Sequence, residues 1–328
     1  SFSYGMQNGV PSSNHTSRDP NHLMAVATLK HFTAYSLEDW SPSGRYSDHT
    51  FTRSTFNANV SEHDLNDTYL PAFKTAVVKG GAAGVMYGCN EVNGVPNLAS
   101  AYLNGELQKW GYDGYRTDDG GQFGQTVARH KWKPTLEDVI EFGLRDGQTD
   151  ISDGNELANA LIETLAENKI NQSIIDRALY NTFRIRFRLG LFDPVEGQPY
   201  LDFGIDDIND AAAQQLNAEA ARQSLVLLQN DEPRVLPFNL PALSDTGPFT
   251  VAVIGPLANS TKVLAGSYAR TIADGDAPSI FNAIADIVES TGGKAIFAPG
   301  AHCSTSTCQD LARSDQLLQD AIDAATGA

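Results

Sequence analysis

Apolar residues recur along this chain at two spacings. In residues 62–79, EHDLNDTYLPAFKTAVVK, the residues Leu65, Tyr69, Phe73, Ala76 and Val77 share one helical face, with Ser61 and Asp64 as cap candidates and Pro71 as a kink point. The next stretch, GGAAGVMYGCN, is a short apolar run bounded by glycines, the pattern of a buried strand in a parallel sheet. The alternation then repeats. A helix is predicted over 100–110, a turn over 111–113, and a strand over 114–117 that ends in Asp118-Asp119-Gly120-Gly121. A third unit has a helix over 136–143 and a short segment ending at Asp150. Upstream, a polar, turn-rich start leads into the apolar run 23–29, which ends at Lys30 and His31. Successive strands and helices of this kind predict an α/β fold with a mostly parallel sheet. In such sheets reactive groups collect at the carboxyl ends of the strands. Lys30-His31, the MYGCNEVNG loop and Asp118 all fall where such ends are expected.

Farther along, 157–189 is helical by pattern and closes at Gly190 and the FDP tripeptide, where Pro194 prevents continuation. Residues 195–245 combine a helix over about 210–230, with ARQSLVLLQN as its apolar end, and Pro-rich connections. This pattern predicts a linker between domains. A strand in FTVAVIGP, a helix over 279–290, a strand in KAIFAP and a last helix in DQLLQDAIDAATGA open a second α/β unit, with too few strands for a finished domain.

Length agrees with two domains, since 328 residues exceed the ~100–200 typical of one. No apolar stretch approaches the roughly 20 residues that span a bilayer, so no membrane partner is expected. The net charge of −17 repels phosphate backbones, so nucleic acid is not an expected partner, whereas a neutral sugar meets no such repulsion. The three cysteines are Cys89, Cys303 and Cys308; the last two are close enough in sequence to close a small loop in an oxidising compartment. Sequons begin at Asn14, Asn59, Asn66, Asn171 and Asn259, and together these features favour secretion.

Candidate chemistry narrows to a few residues. Asp118 stands at a strand-to-loop junction before two glycines that let a ligand approach the backbone; it could equally be a loop carboxylate that caps the next helix. Adjacent side chains of a strand point to opposite faces, so only one of Asp118 and Asp119 is expected to face a site. Lys30 and His31 could hold sugar hydroxyls or support a carboxylate, although a surface Lys beside a core His explains the pair as well. Trp40, just downstream, could stack on a sugar ring. The run VAVIGPLAN lacks a glycine-rich phosphate turn and is read as sheet core, and no metal-ligand spacing occurs.

Eight segments, in order, resemble the landmarks of glycoside hydrolase family 3: KHFTAYSLEDW, FNANVSEHDLNDTYLPAFK, GVMYGCNEVNGVPN, GYDGYRTDDGG, RFRLGLFDP, ARQSLVLLQND with LPF, VAVIGPLAN, and FAPGAHC. The resemblance is nearest to the plant and fungal β-xylosidase and α-arabinofuranosidase branch. It implies the C-terminal part of a (β/α)8-type barrel over 1–194, an interdomain linker over 195–245, and the start of an α/β sandwich over 246–328. It implies a retaining, exo-acting β-xylosidase that acts on xylo-oligosaccharides without a cofactor. β-Glucosidase and α-L-arabinofuranosidase are the alternatives within the family, and a non-catalytic carbohydrate-binding fragment is the alternative of another class. By the same resemblance the nucleophile falls on Asp118, in Thr117-Asp118-Asp119, while Lys30, His31, Met86 and Cys89 line the sugar subsite. Three departures stand out. Cys89 replaces the family's Tyr, the usual cysteine pair would fall at Tyr87 and Leu98, and Asp119 replaces a Trp or Cys, placing a second carboxylate beside the nucleophile. Only about thirty residues precede Lys30, and the acid/base Glu is expected beyond Ala328, so the sequence is expected to be a fragment.

Overall fold

The glycine-bounded run forms the central strand of a parallel sheet. The computed structural model describes residues 2–9, 22–40, 51–152, 157–198, 201, 203–238, 249–264, 268, 277–302 and 314–328. Within 1–210 its strands are β1 (Thr28–Phe32), β2 (Asp39–Trp40), β3 (Phe51–Thr52), β4 (Asn57–Ala58), β5 (Gly84–Tyr87), β6 (Glu91–Val92), β7 (Val95–Pro96) and β8 (Tyr115–Thr117). β5 lies between β1 and β8 and pairs with both in parallel. A single parallel bridge, Thr117 to Ile151, extends the sheet beyond β8. Val85 and Tyr87 are fully buried, as expected of a strand flanked on both edges and covered on both faces. The register of β1 against β5 shifts between Leu29 and Phe32, so Lys30 and His31 stand in an irregular stretch at the strand's end.

Helices return the chain between these strands, and their caps are the ones the sequence offers. Ser100 accepts the Leu103 N–H and starts the helix Ala101–Lys109, which turns Leu103 and Leu107 into the core. There they join Phe32, Leu98, Val139 and Ile140. Ser61 likewise caps the segment before β5. The helix predicted over 62–79 breaks at its kink point, Pro71, and a wide turn precedes the break. It comprises Glu62–Asp64, a wide π turn over Leu65–Tyr69, and a helix Pro71–Val78. Pro71 has no N–H to give and suits the first position of a new helix, while the Leu70 N–H reaches five residues back to Leu65. The predicted helix over 157–189 is also two, Leu157–Ala166 and Gln172–Arg188. Asn168 takes a left-handed backbone (φ 56°) after the first, and the Asn171 side chain caps the second.

Residues 1–210 and 211–328 form separate compact units. In the second unit a helix spans Ala211–Ser224 and stops short of the apolar run 225–228, which is exposed and carries no regular structure, unlike the helix predicted to 230. Strands β9 (Thr250–Ile254) and β10 (Lys294–Ala298) pair in parallel along their whole lengths. The helix Ile280–Ser290 connects them, capped by Ser279, and Asp315–Thr326 follows. Cys303 and Cys308 lie outside the described residues. The chain is thus an α/β protein with parallel sheets.

Candidate active site

The carboxyl ends of β1, β5 and β8 gather most of the residues singled out from sequence. β5 and β8 pair Met86 with Thr117, one residue before Asp118. Two buried asparagines fix the loops around this end. Asn90 donates to the Thr33 and Ala34 carbonyls at 3.2 and 3.3 Å, and Asn97 donates to Thr33 at 2.9 Å, tying the exit of β1 to that of β5. Gln122, also buried, donates to the Gly88 carbonyl at 2.6 Å and accepts the Asp119 N–H at 3.1 Å, tying β8's exit to β5's. Gly121 precedes it with φ 67°, a left-handed conformation that favours glycine.

Asp118 is 3 % exposed, and its Oδ2 accepts the Ser152 hydroxyl at 3.0 Å. Its backbone N–H donates to the Ile151 carbonyl at 3.3 Å. β8 ends at Thr117, so Asp118 and Asp119 both follow the strand. Asp119 also lies at this end of the sheet, with its Oδ2 3.6 Å from His31 Nε2 and 3.6 Å from Arg53 NH1. Burial draws the His31 imidazole below its usual range, against the opposing pull of Asp119. Cys89 is buried, and burial together with the Asp119 charge pushes its thiol up to about 12. His130 Nε2 donates to the Cys89 carbonyl at 2.8 Å and Nδ1 lies 3.5 Å from Glu91, which fixes the loop after β5.

Lys30 is exposed and Met86 half-buried, both at the same sheet end. Trp40 belongs to β2, and its side chain is outside the described residues. Sequence reasoning missed Arg53, Tyr35, Glu38 and Ser152. Arg53 NH1 lies 3.5 Å from Glu38, and the Tyr35 hydroxyl donates to Glu38 at 2.6 Å. These residues come from irregular connections whose spacing carries no periodic signal; the one available clue was an arginine just ahead of the FNANVS landmark. Among the described residues no group of three or more His, Cys, Asp or Glu side chains is arranged to hold a metal ion. Nor is any described helix long and apolar enough to cross a membrane. The arrangement offers a buried carboxylate, Asp118, next in sequence to a second carboxylate, Asp119, that faces an imidazole and a guanidinium, and a carboxylate of this kind can carry out nucleophilic chemistry on a polyhydroxylated ligand.

No family model matches the chain. It is 35% identical over 312 residues to a probable β-D-xylosidase of Arabidopsis thaliana, which covers 93% of this chain and 36% of the relative. It is 36% identical over 253 residues to a β-xylosidase/α-L-arabinofuranosidase of Medicago sativa subsp. varia, over 76% of this chain and 31% of the relative. Among solved structures, a GH3 exo-β-xylosidase in complex with a xylobiose aziridine activity-based probe superposes with a TM-score of 0.75 at 26% identity, covering 94% of this chain and 37% of that one. A β-glucosidase from Erythrobacter marinus shares the fold, with a TM-score of 0.72 at 22% identity, over 99% of this chain and 41% of that one. The chain thus spans about a third of the length of the curated relatives it matches.

Proposed function

Because this chain belongs to glycoside hydrolase family 3, we propose that the full-length protein is a retaining, exo-acting β-xylosidase that uses Asp118 as its nucleophile. The observation that carries this reading is the position of Asp118: a buried carboxylate at the carboxyl end of β8, held by Ser152, in the same cluster of strand ends as His31 and Lys30. In the reaction, the Asp118 carboxylate attacks the anomeric carbon while a protonated carboxylic acid gives its proton to the leaving glycosidic oxygen. The glycosyl–enzyme ester forms as that C–O bond breaks. Water, deprotonated by the same acid/base group, then cleaves the ester and regenerates Asp118. We assign the acid/base role to a Glu of the second, α/β sandwich domain, as the family resemblance implies. Lys30 and His31 donate to sugar hydroxyls, and Met86 and Cys89 line the subsite wall. The substrates are xylo-oligosaccharides or aryl β-xylosides, and no cofactor enters the chemistry.

Asp118→Asn in the full-length protein is expected to abolish turnover of an aryl β-xyloside with the fold intact; near-normal turnover would sink the assignment. An α-L-arabinofuranosidase activity is the second reading, favoured by the dual name of the Medicago relative. A panel of aryl β-xylosides, β-glucosides and α-L-arabinofuranosides separates these by kcat/KM. We further propose that the protein is secreted and N-glycosylated, since Asn59, Asn66, Asn171 and Asn259 are all exposed. Enzymatic deglycosylation of the native protein should then lower its mass and convert glycosylated asparagines to aspartate; an unchanged mass would refute it.

A further inference from the structure

Five side chains at the end of β1 close on themselves. His31 Nε2 lies 3.6 Å from Asp119 Oδ2, and the same oxygen lies 3.6 Å from Arg53 NH1. Arg53 NH1 lies 3.5 Å from Glu38, which accepts the Tyr35 hydroxyl at 2.6 Å, and the Tyr35 ring packs against the His31 ring at 4.8 Å between centroids. The cycle joins three segments far apart in sequence: the exit of β1, the β3 hairpin region and the loop after β8. Asp119 is its rigid member. Its Oδ1 accepts the Gly120 N–H at 2.8 Å and its backbone is held by Gln122. Its Oδ2 is buried, and its charge acts at a distance on the Arg53 guanidinium and on the His31 imidazole.

We propose that Asp119 is a positioning residue, whose carboxylate holds His31 and Arg53 together and so sets the orientation of His31 in the sugar site. This rests on the glycosidase reading given above. A carboxylate suits the task because its charge attracts a guanidinium and an imidazole from opposite segments across 3.6 Å, a pull that the uncharged amide of the same shape lacks. Glu38 completes the cycle from the solvent side, its side chain 62 % exposed, facing the same Arg53 nitrogen as Asp119 and accepting from the phenol that packs on His31. The charged and titratable groups facing His31 are therefore Asp119, Lys30, Glu38 and Arg53, with Tyr35 against its ring.

The test compares Asp119→Asn, Asp119→Glu and Glu38→Gln with the parent full-length protein, with Asp118→Asn as the reference for the underlying reading. Three readouts are taken: KM and kcat on an aryl β-xyloside, the His31 titration midpoint by NMR, and the thermal midpoint. Asp119→Asn is expected to raise KM about tenfold with kcat within about threefold, and to lower the His31 midpoint, because an attractive charge is lost. Asp119→Glu should recover part of both effects. Glu38→Gln, at an exposed position with no role in the core, should shift both in the same direction by about threefold or less. An unchanged KM or an unmoved His31 midpoint in Asp119→Asn, with Asp118→Asn inactive, overturns the positioning role alone. Should Asp119→Asn fail to fold, Asp119→Glu carries the test, and a KM and His31 midpoint both at the parental values there overturn it instead. Full turnover in Asp118→Asn overturns the glycosidase reading itself.

Discussion

Asp150 offers a pH test of how the sheet is held behind the site. Its side chain is fully buried beside β8, where it accepts the Arg116 backbone N–H at 2.9 Å and the Asn181 amide at 3.1 and 3.3 Å. Arg116 NH1 and Arg177 Nε stand 3.9 and 4.0 Å away. Burial raises the carboxyl from its ordinary 3.8 to about 6, with the Arg116 N–H and the two guanidiniums opposing the rise. Between these two values the folded protein holds a proton at Asp150 that the unfolded chain has released. Stability contributed by this group is therefore present at low pH and lost as pH rises towards 6. A rise of about two pH units corresponds to ~3 kcal/mol. Asp150→Asn keeps the shape and cannot ionise, so the difference between parent and variant isolates the group. Native-state hydrogen exchange of the full-length protein, followed in peptides covering β5 and β8 and corrected for intrinsic exchange, measures the opening free energy of each. From about pH 4 to pH 7 the parent should lose most of that difference, ~2 kcal/mol, relative to Asp150→Asn, because at pH 4 the unfolded chain still holds part of a proton. Parallel curves, or a parent that gains on the variant, would refute the reasoning.

Two further outcomes follow from local geometry. Ser152→Ala removes the hydroxyl that donates to buried Asp118 Oδ2, and a hydrogen bond to a charged group contributes ~1.5–3 kcal/mol to stability, so the thermal midpoint should fall and kcat on an aryl β-xyloside should fall with it as Asp118 loses its support; an unchanged kcat and midpoint would show that Ser152 does not support Asp118. A methyl group on Gly147 would sit 1.8 Å from the Leu98 carbonyl oxygen, so Gly147→Ala should lower stability by roughly 3 kcal/mol or more, read as a loss of soluble protein or a depressed thermal midpoint.

Much of the candidate site was legible because strand ends are legible. The apolar run GVMY between glycines fixed β5, and that in turn fixed where Met86 and Cys89 stand. Asp118 was marked by the strand before it and the glycines after it. Arg53, Tyr35 and Glu38 were not, because they approach His31 from connections whose only order is tertiary. The apolar spacing over 62–79 marks a helix and Pro71 marks the kink within it, but periodicity does not register the wide turn over Leu65–Tyr69 that precedes the proline. The break after Ala166 was hidden for a similar reason. The caps at Asn168 and Asn171 are short polar signals inside a strong apolar pattern, and in the folded chain the backbone obeys the caps.

The central claim is that Asp118 forms the covalent bond to the sugar. A fluorinated β-xyloside that accumulates the glycosyl–enzyme, followed by proteolysis and mass spectrometry of the full-length protein, tests it directly. One added glycosyl group per protein, on the Asp118 carboxylate within YRTDDGG, is the expected result. A label on Asp119, on Asp150 or elsewhere, in a protein inactivated by the reagent, would contradict it.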